Sequence, residues 1–139
     1  MTAVFYPLWK RALETGAANA DLDEADPNNG YYAVLINTAL YTFSALHEFY
    51  TSLAGVLGAD QLITPVTITN STTDGGDVTF STVSAGSPVG AIVTYRRNAG
   101  ANSTWRLVSY YDTPGGGLPF VANGGPITVQ WNSVGIHTL

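Results

Sequence analysis

No cysteine occurs in the 139 residues, so the chain has neither a disulfide framework nor a thiolate metal site and needs no particular redox compartment. Charge is scarce too. Lys, Arg, Asp and Glu make up 11% of the chain, less than half of the roughly 25% usual for soluble domains. Only five residues are basic against ten acidic, a net charge of −5. A nucleic-acid binder needs a basic stripe that neutralises phosphates, so no direct nucleic-acid contact is expected. No apolar run approaches the roughly 18–20 residues of a membrane span, which predicts no membrane partner. Pro7 and Lys10-Arg11 interrupt any charged-then-apolar leader pattern, and the expectation is a soluble protein made in a cytoplasm.

In place of the missing charge stand Ser, Thr, Asn and Gly. Thr suits a pleated surface, and Gly and Asn suit turns. Sparse charge also suits surfaces that lie against other proteins, because interface cores are depleted in charge. The length predicts one domain over 1–139, with a helical arm at 1–16, an acidic loop at 17–30 and a β-sandwich from 31 to 139.

The clearest pattern is Ile127-Thr128-Val129-Gln130-Trp131-Asn132, in which apolar and polar residues alternate. A strand sends successive side chains to opposite faces, so Ile127, Val129 and Trp131 are expected on a buried side. Tyr31–Asn37 is a continuous apolar run of strand length, expected to be buried on both faces. Val89–Arg97 and Thr104–Asp112 form a candidate hairpin across Asn98–Ser103, with Trp105, Leu107 and Tyr111 sharing one face and Arg106, Val108 and Tyr110 the other. Further strands are expected at Leu40–Ser44, Leu62–Thr69, Asp77–Ser84 and Val134–Leu139. Asn70–Gly76 reads as a turn and Thr113–Gly125 as a loop. Two short helices are expected. Phe5–Thr15 has Pro7 in its first turn, Gly16 just past its end and Phe5, Leu8, Trp9, Ala12 and Leu13 on one face. Ala45–Leu57 carries Leu46, Phe49, Tyr50 and Leu53 at helical offsets. The predicted fold is mainly β, an antiparallel sandwich of jelly-roll type with a short N-terminal helix and one further short helix.

Reactive patterns are few. The two histidines, His47 and His137, show no paired spacing for zinc. No Gly-x-Ser-x-Gly elbow occurs; the nearest string, Ala85-Gly86-Ser87-Pro88-Val89, lacks the second glycine. Gly115-Gly116-Gly117 is followed by Leu118-Pro119 rather than the Lys and Ser/Thr of a phosphate loop. Asp21, Asp23, Glu24 and Asp26 cluster, but a calcium loop counted from Asp21 would need an Asp or Asn where Ala25 stands and Gly where Asp26 stands. The sequence therefore predicts no catalytic residue, no cofactor and no metal.

Several strings in order carry a resemblance. They are Ala33-Val34-Leu35-Ile36-Asn37-Thr38, then Tyr41-Thr42-Phe43-Ser44 leading to His47 and Phe49, then Gly76-Asp77-Val78-Thr79-Phe80. Ala91-Ile92-Val93-Thr94-Tyr95, Leu107-Val108-Ser109-Tyr110-Tyr111-Asp112-Thr113 and Asn123-Gly124-Gly125-Pro126-Ile127-Thr128-Val129-Gln130-Trp131 continue the series. Together with Phe5–Gly16 they resemble a family of small structural proteins of tailed bacteriophages. Two departures stand out: Tyr31-Tyr32 replaces an aliphatic residue and a lysine, and Asn37 replaces an acidic residue, which is expected to add aromatic surface. The resemblance implies a non-enzymatic virion component of capsid decoration or cement type, made in the bacterial host cytoplasm and placed on the capsid surface. Its implied partners are the major capsid protein and further copies of itself, as a dimer or trimer. A tail, neck or fibre-associated protein and a sugar-binding module using Tyr31, Tyr32 and Tyr110 are the alternatives. Subunit or capsid contacts are expected at Phe5, Tyr6, Trp9, Tyr31, Tyr32, Arg96, Arg97, Arg106 and Leu139.

Overall fold

The computed structural model describes residues 4–23, 25–81, 83–112 and 117–139. The regular elements are β1 (Val4–Phe5), α1 (Pro7–Glu14), β2 (Ala25–Asp26), β3 (Asn29–Ile36), β4 (Val56–Leu62), β5 (Val66–Thr69), β6 (Thr72–Gly75) and β7 (Val78–Phe80). After these come β8 (Pro88–Val89), β9 (Ala91–Arg97), β10 (Arg106–Tyr111), β11 (Phe120–Val121), β12 (Ile127–Val129) and β13 (His137–Thr138). Two 3-10 turns, Tyr50–Ser52 and Asn102–Thr104, complete the set among the described residues. Every strand pairing among the described residues is antiparallel. The protein is mainly β, with sandwich-like packing and, among the described residues, one α-helix.

The apolar run at Tyr31 becomes β3, the middle of the main sheet. It pairs with β9 over Gly30–Ile36 on one side and with β4 and β2 on the other, and β9 continues to β10 and β1. The alternation of β3 feeds two separate cores. Tyr31, Ala33 and Leu35 join Ile92, Val108 and Tyr111 under α1 and the short strands β7, β8 and β12. Tyr32, Val34 and Ile36 join Ala91, Val93, Tyr95, Leu107 and Tyr110 under Tyr6, Tyr41 and Phe43. Both faces of the sheet are thus apolar because both are covered, the condition under which strands lose their alternation of polar and apolar residues. The alternation at 127–131 also holds: Val129 is buried and Ile127 and Trp131 half-buried, with Thr128 and Gln130 exposed.

Helix α1 docks on its own sheet. Its Trp9 is 2% exposed, stacks on Phe5 at 5.7 Å and donates its indole N–H to the Ala20 carbonyl at 2.9 Å. A helix of eight residues is marginal alone in water, so this aromatic anchor supplies what backbone hydrogen bonds do not.

Four expectations are corrected. The helix at Ala45–Leu57 shrinks to the 3-10 turn Tyr50–Ser52; Leu46 points outward, Gly55 adopts a positive φ of 67°, and Val56–Leu62 instead forms the strand that flanks β3. Leu40–Ser44 holds no strand and is a covering connection. The turn at Asn70–Gly76 narrows to Asn70-Ser71, both with positive φ, as a two-residue hairpin loop requires, and the rest is β6. Finally, the register of β9–β10 shifts between Leu107 and Ser109. This bulge moves Tyr111 to the face of Val108 and Tyr110 to that of Leu107, so alternation counted from Trp105 fails past that point. Glu24, Thr82 and the loop residues Thr113, Pro114, Gly115 and Gly116 lie outside the described residues.

Candidate partner-binding surface

The residues expected at a partner contact separate into three groups. Tyr6, Trp9, Tyr31 and Tyr32 are buried within the chain itself. Tyr32 therefore adds core, not the aromatic surface expected from the departure at Tyr31-Tyr32. Tyr110 is buried as well, so the three tyrosines expected to stack a sugar present no ring face to solvent. Phe5 is half-buried against Trp9 and His137, and Leu139 is exposed. The arginines form the third group.

The three arginines of the β9–β10 hairpin meet three different environments. Arg96, 2% exposed, faces the Tyr31 side, where it hydrogen-bonds Asn29 Oδ1 at 2.6 Å and the carbonyls of Asp21 and Arg97, and lies 3.4 Å from the Asp21 carboxylate. It ties the 17–30 loop to the sheet. Arg106 pairs with Glu48 at 3.2 Å, donates to the Ala18 carbonyl at 3.1 Å and lies over the Phe49 ring. It ties the covering connection and the same loop to β10.

Arg97 differs. Its guanidinium carbon lies 4.5 Å from the Tyr32 ring centroid and 4.2 Å from that of Trp105. The register explains this placement: Arg96 stands opposite Arg106, so Arg97 and Trp105 meet across the end of the hairpin. Tyr95, two residues before Arg97 on the same face, stacks between the rings of Tyr32 and Trp105 at 5.6 and 5.8 Å, and Tyr50 meets both Tyr95 and Trp105 edge-on. The Tyr95 hydroxyl donates to Asp60. Burial and that carboxylate raise the pKa values of Tyr50 and Tyr95 well above the usual phenol value, so both rings stay neutral donors. The Arg97 guanidinium forms no ion pair among the described residues; its Nε is sealed without a partner, while its Nη atoms are not sealed.

The loop beyond Arg97 is stiffened from within. Asn98 accepts the Gly100 amide at 2.6 Å and donates to the Thr104 carbonyl and hydroxyl at 3.1 Å, while the Trp105 indole donates to the carbonyls of Asn98 and Gly100. Against this loop and Asn28 lies an open cleft of about 460 Å³, lined by Asn28, Arg97, Asn98, Ala99, Gly100 and Trp105. A second cleft of about 540 Å³ adjoins it toward Asn19, Asp26 and Asn29. The sequence reading grouped the three arginines and missed Trp105, Asn98 and Asn28. The available signal was the hairpin register, which sets Trp105 across from Arg97.

A second polar cluster lies on the opposite face and is closed. Tyr31 donates to Thr94 Oγ1 at 2.7 Å and meets His137 Nε2 at 2.9 Å, while Thr94 hydrogen-bonds Ser109. These groups are buried under Phe5 and Trp9. Since Tyr31 gives its one proton to Thr94, His137 Nε2–H donates to Tyr31 and Nδ1 keeps a bare lone pair, in accord with its sealed, unpartnered state. Burial pushes the His137 pKa down to about 4. Serine and histidine here are separated by Tyr31 and Thr94, an arrangement that braces β3, β9, β10 and β13. The described residues contain no group of three or more His, Cys, Asp or Glu placed to hold a metal and no helix long and apolar enough to cross a membrane.

Comparison with known proteins finds no matching family model, curated protein or solved structure.

Proposed function

We propose that this chain is a non-enzymatic virion structural protein of a tailed phage, a capsid decoration or cement protein that binds the outer shell and bridges major capsid subunits. The observation that carries the reading is the connection between β3 and β4. Between Ile36 and His47 no residue is charged. Tyr41 and Phe43 turn inward onto the sheet, while Leu40 and Leu46 stand 65% and 85% exposed, beside exposed Thr38, Ala39 and Ala45. An uncharged segment with aliphatic tips, held by its own aromatic anchors, is suited to burial against another protein. The cluster at Tyr31 and His137 and the Arg96 and Arg106 contacts brace the fold rather than open onto a reaction centre, which agrees with a binding role. The mechanism is mass action: a protein that binds only the assembled shell stabilises it by its binding free energy, summed over many symmetric copies.

The test mixes the purified chain with shells of the source phage that lack it, then measures copies per particle by cosedimentation and imaging. Copies in the hundreds and a raised shell melting temperature are expected, and the double variant Leu40→Glu/Leu46→Glu is expected to bind at least about tenfold more weakly. About six or twelve copies would place the chain in a symmetric tail or neck instead. No retained copies would end the virion reading.

A further inference from the structure

Arg97 is the hairpin arginine without an acidic partner, and it borders the 460 Å³ cleft. We infer that this cleft is a receptor for a single carboxylate, an Asp or Glu side chain presented by a partner protein. The partner's identity rests on the reading above; the carboxylate chemistry does not.

The Arg97 guanidinium is held in place by aromatic rings. Its carbon lies over the Tyr32 and Trp105 rings, 4.5 and 4.2 Å from their centroids, so two rings restrict where it can turn. Its Nε is sealed without a partner, and the Nη atoms at its outer edge are not sealed. A fixed planar fork of this kind matches the two oxygens of a carboxylate. Ring contacts orient the fork without neutralising it, unlike the carboxylates of Asp21 and Glu48 on Arg96 and Arg106. Asp60, the acceptor of the Tyr95 hydroxyl, acts on Arg97 through space, but it forms no ion pair with it and does not line the cleft.

The walls favour a protein side chain over a sugar. Trp105 has Arg97 over its ring, Tyr95 stacked beside it and its indole N–H committed to two carbonyls, so it offers no platform for a pyranose ring. Asn28 and Ala99 supply neutral polar groups around a single cation, while Gly100 is already bonded to Asn98 and Trp105. One charge with a neutral polar rim selects one carboxylate rather than a polyanion. The loop needs no rearrangement to receive it, since Asn98 already fixes Gly100 and Thr104.

The probe is the blocked peptide acetyl-Gly-Glu-Gly-amide, titrated into the isotope-labelled chain while the side-chain Nε–Hε signal of Arg97 and the amides of Ala99 and Gly100 are followed by NMR. Saturable shifts at these positions are expected with the Glu peptide and not with its Gln counterpart. Arg97→Lys, which keeps the charge but loses the fork, is expected to weaken binding by about tenfold, and Arg97→Gln to abolish it. The peptide contrast needs no variant, so it stands even if a substitution disturbs folding. Equal responses to the Glu and Gln peptides, no saturable shift, or an equal response in Arg97→Gln would overturn the assignment. Tighter binding of inorganic phosphate than of the Glu peptide would replace the carboxylate by a phosphate ligand and overturn it as well. Because no shell is present, a negative result leaves the decoration reading to its own test.

Discussion

Tyr31 and Tyr32 are neighbours in one strand, yet they face two different surroundings. On the Tyr31 face, the hydroxyl enters a closed set with Thr94, Ser109 and His137, all buried and roofed by Phe5 and Trp9. On the Tyr32 face, an aromatic row through Tyr95 to Trp105 runs to the sheet edge and ends at the unpaired cation of Arg97 beside an open cleft. Strand alternation makes both outcomes available to adjacent residues. One face turns its polar groups inward as bracing; the other brings one to the surface. That separation lets a small domain stay rigid while it holds a contact group out to a partner.

The largest effect should come from breaking the closed face. Trp9→Ala removes a fully packed ring and leaves the Ala20 carbonyl without its donor. Losses for buried aromatic-to-alanine changes run at about 3–5 kcal/mol, a large part of the roughly 5–15 kcal/mol that holds a domain together. Chemical denaturation at pH 7 should show a drop of this size, and a loss under about 1 kcal/mol would mean that the roof over His137 is not a structural element.

A smaller effect, set by pH, tests the same face. His137 is neutral when folded, with its pKa lowered to about 4 from a usual value of 6.5. Between these values the unfolded chain binds a proton that the folded chain excludes, so its stabilising share is complete above pH 6.5 and is lost as the pH falls toward 4. A lowering from 6.5 to about 4 corresponds to about 3 kcal/mol. Urea midpoints followed from pH 7 to pH 4 should fall accordingly, and His137→Gln should remove most of that slope while leaving the carboxylate contribution. An unchanged slope in the variant would show that the imidazole is protonated inside the fold.

The two faces also differ in how readable they were. The run at Tyr31–Asn37, the β9–β10 hairpin and the alternation at 127–131 follow from side-chain period alone, and the strand pairing obeys it. The closed cluster at Tyr31 was out of reach because its members lie up to 106 positions apart and nothing in sequence spacing joins them. At 45–57, Leu46, Phe49, Tyr50 and Leu53 satisfy a helical period, but β3 needs a partner on its second edge, and tertiary pairing takes Val56–Leu62 for it. The bulge after Leu107 exchanged the faces of Tyr110 and Tyr111; one extra residue in a strand leaves no compositional mark. The three arginines were correctly seen as neighbours, yet which of them stays uncompensated depends on where Asp21 and Glu48 arrive from distant loops.

The smallest stability change belongs to the open face, and its smallness is the point. Arg97→Met keeps an unbranched stem beside Tyr32 and Trp105 while removing the charge. Lost cation–π attraction at a partly exposed site costs about 0.5–1 kcal/mol per ring. Against that, the variant no longer seals an Nε–H without a partner, a defect that itself costs about 1–3 kcal/mol. The two terms offset, and thermal and chemical melts should shift by less than about 1 kcal/mol, whereas binding of the Glu peptide should vanish. Trp9→Ala shows the reverse pattern, with large destabilisation and, at temperatures where it stays folded, peptide binding within about twofold of the native chain. If Arg97→Met instead destabilises as severely as Trp9→Ala, the guanidinium is part of the bracing, and the distinction between a closed face and an open one collapses.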